Sequence, residues 1–357
     1  MNYRHATILA NEDLGVSGTK IIDIDIQDPI SRITLVHQPV GGSTTILGHP
    51  ALNITKLELI DGSEVLYSLS GKMGQALNVF NRKHPIVMET DYRVGGTPLV
   101  YIDIEFGRFL WDPLLAFDPK KFTNPQLKIT WNEAAYDASV SSHGFIVFGH
   151  VFDEKRISPI GFLSAKEIKS YVGAAAGYEY TDLPTDYPFR KLILQGELAG
   201  SGVRAVIQDI RISEDNDKRI PIDGDIHELR AFLDEMAGDC VENIRATVAT
   251  TSTTLYCLAH NLASVVQSVD TPDVVPSSGA CSGGRFWAEM QTAAGNVQFT
   301  LRGQNPHGCI AIPFGYQKDL EDWYDVAKIG SLKLRLLGGP GAASSTTRIA
   351  LEQLRRY

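Results

Sequence analysis

The segment IDGDIHELRAFLDEM, Ile222 to Met236, reads as a strand end running into a helix, and the chain carries the same arrangement a second time. Asp225 with Glu228 three residues on has capping-box spacing, and Ile226, Leu229, Leu233 and Met236 recur at helical intervals. Upstream, Val206, Ile210 and Ile212 mark a strand, followed by a polar turn and a second strand from Arg219 to Ile222. The stretch LNITKLELIDGSEVLYSLSGKMGQALNVF, Leu52 to Phe80, has the same order of strand, turn, strand and helix. Leu57 matches Ile210 and Gly71 matches Gly224 at one offset, since 210 − 57 and 224 − 71 both give 153. At that offset Met73, Ala76, Val79 and Phe80 fall on Ile226, Leu229, Phe232 and Leu233, which predicts equivalent helices over 71–80 and 224–236.

A second echo follows. WDPLLAFDPKKFTNPQLKITW, Trp111 to Trp131, resembles KDLEDWYDVAKIGSLKLRLL, Lys318 to Leu337, with Leu127 set against Leu332. Each leads through a polar turn into one more strand, GFIVFGHVF from Gly144 and TRIALEQL from Thr347. Alternation alone matches by chance, but two echoes in one order predict a tandem duplication.

The repeated unit is read from the first half. Strands are predicted at Thr19–Gln27, Arg32–Gln38, Ile54–Ile60, Glu64–Leu69, Pro85–Glu89, Leu99–Phe106, Gln126–Trp131 and Phe145–Phe152, eight in all. Eight antiparallel strands broken by Gly, Pro and Asp turns, with one helix in a connection, fit a jelly-roll sandwich. The expected organisation is an N-terminal arm over 1–18, a first jelly roll over 19–153, a connection over 154–186 with a short helix at Ser164–Val172, and a second jelly roll over 187–357. The second half is longer between helix and Leu-Lys strand: 332 − 233 is 99 against 127 − 80, which is 47, an excess of 52. That excess is an excursion, about 246–313, rich in Thr, Ser, Gly and Ala. It also holds Phe286 and Trp287, candidate anchors for contacts between subunits.

Two tandem eight-stranded jelly rolls, all-β with short helices in the connections, resemble the double jelly-roll major capsid proteins of tailless icosahedral viruses, the tectivirus and adenovirus lineage. The resemblance covers about Thr19 to Leu354 and rests on strand order. It implies a non-enzymatic structural subunit of a virus of a prokaryotic host, located in the virion shell and assembled in the host cytoplasm. The implied partners are two further copies in a homotrimer that forms a pseudo-hexagonal capsomer, neighbouring capsid trimers, vertex (penton) and minor capsid proteins, and, as an open alternative, an internal membrane below the shell. Two other readings stand beside it: a carbohydrate-active or amidase-like enzyme built from two jelly rolls, and a non-catalytic sugar-binding protein.

Composition and motifs bear on those alternatives. The chain of 357 residues carries a formal net charge of −9, which argues against a protein whose main business is gripping nucleic-acid phosphates, and no sequence-specific nucleic-acid binding is expected. No segment reaches the length of an apolar membrane span, and a soluble chain is expected. The nine histidines form no HxH or HExxH, so a metal-dependent cupin lacks its ligands, and no cofactor or metal is expected. GACSGG, Gly279 to Gly284, has no partner His or Asp around it and reads as a loop. Asp23 with Asp25 and Asp103 with Glu105 are paired carboxylates at alternate strand positions, and the solvated-face reading is preferred to acid/base or calcium chemistry. Asn53-Ile54-Thr55 is a sequon inside a predicted strand and reads as incidental. Cys240, Cys257, Cys281 and Cys309 have no CxxC spacing and read as free packing thiols.

Overall fold

The computed structural model describes residues 1–357 apart from 42–44, 83–86, 138, 141, 270–275 and 281–282. The first half runs β1 (Tyr3–Asp13), β2 (Ser17–Asp23), β3 (Ile30–Val40), β4 (Ile54–Asp61), β5 (Glu64–Leu69), α1 (Gly71–Asn81), β6 (Val87–Tyr92), β7 (Val100–Glu105), β8 (Pro125–Asn132) and β9 (Ser142–Phe152). The second begins β10 (Gly161–Val172), β11 (Tyr178–Asp182), β12 (Phe189–Gly196), β13 (Ile207–Glu214), β14 (Arg219–Asp225), α2 (Ile226–Ala237) and β15 (Cys240–Val248). An excursion follows, with β16 (Thr253–Tyr256), β17 (Ala259–Val269), β18 (Pro276–Ala280), β19 (Arg285–Met290) and β20 (Gly295–Pro306). The half closes with β21 (Cys309–Pro313), β22 (Leu332–Gly338) and β23 (Thr346–Arg356).

Each half is a two-sheet sandwich. The first pairs β1-β9-β3-β7 with β2-β8-β4-β5, and the second pairs β10-β23-β12-β21 with β11-β22-β13-β14. Alternation fixes which side faces in: along β9 Phe145, Val147 and Val151 point into the first core, and along β8 Leu127, Ile129 and Trp131 do so. The second core is filled by Leu192, Leu194, Ile210, Ile212, Leu334 and Ile349 among others.

The duplication extends to the irregularities of the sheets. β1 slips register against β9 between Thr7 and Leu9, and β10 slips against β23 between Glu167 and Lys169, 160 residues on in both cases (167 − 7, 169 − 9). β3 and β12 carry the same defect at Ile30/Arg32 and Phe189/Lys191, an offset of 159 (189 − 30, 191 − 32). β4 and β13 carry it at Ile54/Lys56 and Ile207/Asp209, the offset of 153 read from the sequence (207 − 54, 209 − 56). A bulge re-aims a strand and is kept for that reason, so three bulges at matching places are hard to attribute to shared alternation. A further repeat escaped the sequence reading: IDIEFG, Ile102 to Gly107, and IAIPFG, Ile310 to Gly315, are 208 apart (310 − 102) and end equivalent strands.

Several expectations are corrected. Residues 3–13 are not an arm outside the sandwich but its edge strand, paired antiparallel with β9. Ser164–Val172 is not a helix; it lies in β10, the first strand of the second sandwich, so the second unit starts within the expected 154–186 connection. The first sandwich does have eight strands, but β1 is one of them and β6 is not, and Pro85 of the expected fifth strand lies outside the described residues. α2 begins at Ile226, two residues later than expected, because the turn before β14 is longer (219 − 214 is 5, against 64 − 61, which is 3). Register also places Leu127 opposite Leu59 and Leu334 opposite Ile212, so Leu127 corresponds to Leu334 rather than Leu332, at an offset of 207; with hairpin and helix at 155, the excess between helix and strand stays 52 (207 − 155). A strand pattern of period two looks the same after a slip of two.

Candidate assembly surfaces

The two sandwiches meet through α1. Its residues Gln75 and Asn78 occupy the edge of β7: Gln75 Nε2 donates to the Tyr101 carbonyl at 3.1 Å, and Asn78 exchanges two bonds with the Asp103 backbone. From the other side the sheet β10-β23-β12-β21 closes over the helix. Asn81 donates to Glu352 at 3.1 Å and accepts from Arg190 at 2.9 Å and from Lys191, while Glu352 itself accepts from Arg190 and Lys191 at 3.1 Å. Lys72 reaches Glu197 at 2.7 Å, and His307 Nε2 lies 2.9 Å from Gln75 Oε1. Burial pushes the Lys191 ammonium down to about 8, helped by Arg190. Burial alone would raise Glu352, but the Arg190 and Lys191 charges outweigh it and hold its carboxyl below the usual range.

This contact makes β12 buried at every residue. Its Leu192 and Leu194 serve the second core, while Ile193, with Ala350 and Cys309 from neighbouring strands, joins the first. The corresponding sheet of the first half is covered only at its β7 edge, where α1 and Arg82 lie over Asp103 and Glu105, and His5 and Tyr101 are left exposed. By the offsets above, Ile193 corresponds to Thr34, Cys309 to Tyr101 (309 − 208) and Ala165 to His5 (165 − 160). Glu352 pairs with Lys191 as His150 pairs with Arg32, and Ala350 stands at the place of Phe148. The open face therefore carries aromatic rings: His5 lies 4.0 Å from Phe148 and 5.5 Å from His150, centroid to centroid, and Tyr101 is exposed. Burial beside Arg32 lowers the His150 imidazole to about 4.

The helix side shows the reverse asymmetry. Around α1 the groove is filled by the second sandwich, but beside α2 a groove of about 530 Å³ remains, lined by Ile222, Leu229, Phe232, Ile312, Phe314 and Tyr324, with Phe232 half exposed. One half thus presents an open sheet face and the other an open helix groove. They are the two partners of the junction already formed inside the chain.

The excursion builds a crown of two sheets, β17-β20-β15-β6 and β16-β19-β18, around a core of its own that includes Ile244, Leu255, Phe286, Met290 and Phe299. β6 comes from the first half and runs parallel to β15, its counterpart in the second. Glu242 on β15 is the buried latch: it accepts from Thr90 at 2.5 Å and from the Leu258 amide at 2.7 Å, and lies 3.0 Å from His49 Nε2. Phe286 is fully buried inside this crown, edge-on to Phe299, and is corrected as a contact anchor; large aromatics go to the core first. Trp287 is half-buried, on the opposite face of β19, over Gly279, where a Cβ would come within 2.5 Å of the indole nitrogen.

Asp23 and Asp25 are exposed, Asp23 accepting from Gln126 at 2.6 Å. Asp103 and Glu105 are not on a solvated face: they are covered by α1, where Arg82 pairs with both, and burial raises Glu105 against the pull of Arg82. Asn53 is fully buried and bonded to His37, out of reach of a glycan. Cys240, Cys257 and Cys309 are buried, whereas Cys281 and the centre of GACSGG lie outside the described residues. Among the described residues no three His, Cys, Asp or Glu side chains group as metal ligands, and no helix is long and apolar enough to cross a membrane.

In each half, leaving out β6, its counterpart β15 and the excursion, the first strand lies beside the eighth, in the orders first-eighth-third-sixth and second-seventh-fourth-fifth. The fold is a double jelly roll. No family model matches the sequence, and the search of curated proteins finds no match. Solved double jelly rolls do match. The STIV major capsid protein, from Sulfolobus turreted icosahedral virus, aligns with a TM-score of 0.59 at 11% identity, over 99% of this chain and 96% of that one. The major capsid protein of bacteriophage PM2 gives 0.57 at 9% identity, covering 99% and 98%. The PBCV-1 virus capsid gives 0.57 at 10% identity, covering 99% and 93%.

Proposed function

We propose that this chain is the major capsid protein of a tailless icosahedral virus, without enzymatic activity, assembling as a trimer whose six similar lobes tile the shell. The observation that carries the reading is the asymmetry of the two halves. The junction between them leaves one copy of each contact face uncovered, the aromatic sheet face of the first half and the groove beside α2 of the second. A second chain can repeat the internal junction there, and three copies placed so close a ring of six lobes. The likeness to solved capsid double jelly rolls supports the same reading.

In this reading the crown stands outward from the shell, Trp287 is available to neighbours, and the further partners are adjoining trimers, vertex and minor capsid proteins. The virus belongs to a prokaryotic host and its shell forms in the host cytoplasm. Native mass of the purified chain tests the trimer directly: a species near 117 kDa (3 × 39.1) is expected. A chain that stays at 39.1 kDa over the micromolar range and forms no particles overturns the reading.

A further inference from the structure

We propose that the segment Met1–Ala6 of one copy fills the groove between α2 and β14 of the next, as the start of β10 fills the matching groove inside the chain. The inference rests on the trimer reading and specifies its contact. Inside the chain, Gly161–Lys166 is held in the first half's groove by four kinds of contact. Leu163 donates its amide to the Phe106 carbonyl at 2.9 Å, and the Gly161 carbonyl accepts from Ala116 at 3.1 Å. Ser164 Oγ donates to the Leu66 carbonyl at 2.5 Å. The Phe162 ring packs edge-on to Phe106 and Phe117, 6.2 and 5.6 Å between centroids. Lys166 forms a parallel bridge to Ser68, which joins β10 to β5.

The backbone positions of this contact have counterparts at the open ends, while Asn2 stands at the place of Phe162 and brings no ring. The bulge offset of 160 carries Leu163 to Tyr3, Ser164 to Arg4 and Lys166 to Ala6. Phe106 corresponds to Phe314, and Phe117 to Tyr324, because Ile30 bridges Phe117 as Phe189 bridges Tyr324. Across the hairpins, Leu59 faces Tyr67 and Ile212 faces Ile222, an offset of 155 that carries Leu66 to Pro221 and Ser68 to Asp223. Phe314, Tyr324, Pro221 and Asp223 all line the open groove. Pro221 is no obstacle, since Leu66 contributes only its carbonyl to this contact and proline retains one.

Only another copy can supply the segment. β1 is committed along one edge to β9 of its own first sandwich, as β10 is committed to β23, and each has its other edge left for a partner. For β10 that partner is β5; for β1 there is none among the described residues, and β14 is likewise the last strand of its sheet. An unpaired edge presents backbone donors and acceptors ready for strand addition.

Cysteines at the predicted bridge test this. With Ala6→Cys and Asp223→Cys together, oxidation should join copies into a covalent three-chain species near 117 kDa (3 × 39.1) on a non-reducing gel, while either single variant should not. A native trimer that gives no such cross-link overturns the plug and leaves the trimer standing; a monomer overturns both. Deleting residues 2–6 from the full chain provides the second readout. It should weaken trimer association at least tenfold with the near-ultraviolet circular dichroism of the sandwiches retained, and unchanged association would again overturn the plug.

Discussion

Asn78 holds the backbone of Asp103 from both sides, accepting its amide at 2.9 Å and donating to its carbonyl at 2.8 Å, so a helix side chain stands where a ninth strand would pair. A buried sheet edge left open costs the desolvation of each orphaned group. Asn78→Ala should therefore destabilise the chain by about 2–4 kcal/mol, read as a lower urea midpoint with unchanged slope. A change under about 0.5 kcal/mol would mean that the edge is satisfied without it.

Glu352 is the anion shared by Arg190 and Lys191 at the centre of the internal junction. Replacing it by alanine leaves two buried cations facing each other, for an expected loss of about 3–5 kcal/mol. Glu352→Gln keeps the acceptor oxygen and should cost less. Equal losses in the two variants would show that charge is not what the site needs.

Acid should weaken the fold. Burial depresses His37 to about 3, with His143 adding to it, and His307 lies well below its ordinary value, chiefly through burial. Folded values below the unfolded one mean that the neutral form is favoured: stability is complete above about pH 6.5 and is lost as pH falls towards the folded values, by about 1.4 kcal/mol per unit for each fully engaged group. Glu133, raised to about 7 by burial, acts oppositely, stabilising below its unfolded value and losing that contribution as pH rises through 7. With the histidines dominant, the thermal midpoint should drop between pH 6.5 and 4, and His37→Asn should flatten the drop. A midpoint that rises over that window contradicts the assignment.

Phe232 sits half exposed on α2 and lines the open groove. Phe232→Ser should change monomer stability by less than about 0.5 kcal/mol yet weaken self-association at least tenfold, measured by sedimentation equilibrium. Loss of stability without loss of association would place this ring in the core instead.

The duplication was legible because a hairpin entering an amphipathic helix changes period from two to 3.6, a pattern that chance alternation does not copy. β10 was not legible for a physical reason. Phe162, Leu163, Ser164 and Ala165 are all buried, since that sheet is covered on both faces, and a run without alternation reads as readily as a helix. β1 failed in the opposite way, as an edge strand with no fully buried residue to mark its inner side. Asp103 and Glu105 carried the expected signal of an exposed face; only the helix laid across them reverses it. Phe286 and Trp287 are neighbours in sequence, and the pleat sends one to the crown's core and the other to its surface.

The parallel pairing of β6 with β15 joins Val87 to Val241 and Tyr92 to Ala246, segments whose chain separation is 154 residues (241 − 87, 246 − 92). Neither half holds a complete crown sheet, so a nascent chain that has folded only its first sandwich has nothing for β6 to pair with. The crown is consequently a late structure in folding, because closing so long a loop brings no return until both ends are ordered. Its presence on a chain records that both halves are finished, so in the proposed shell it would exclude half-made subunits by shape alone.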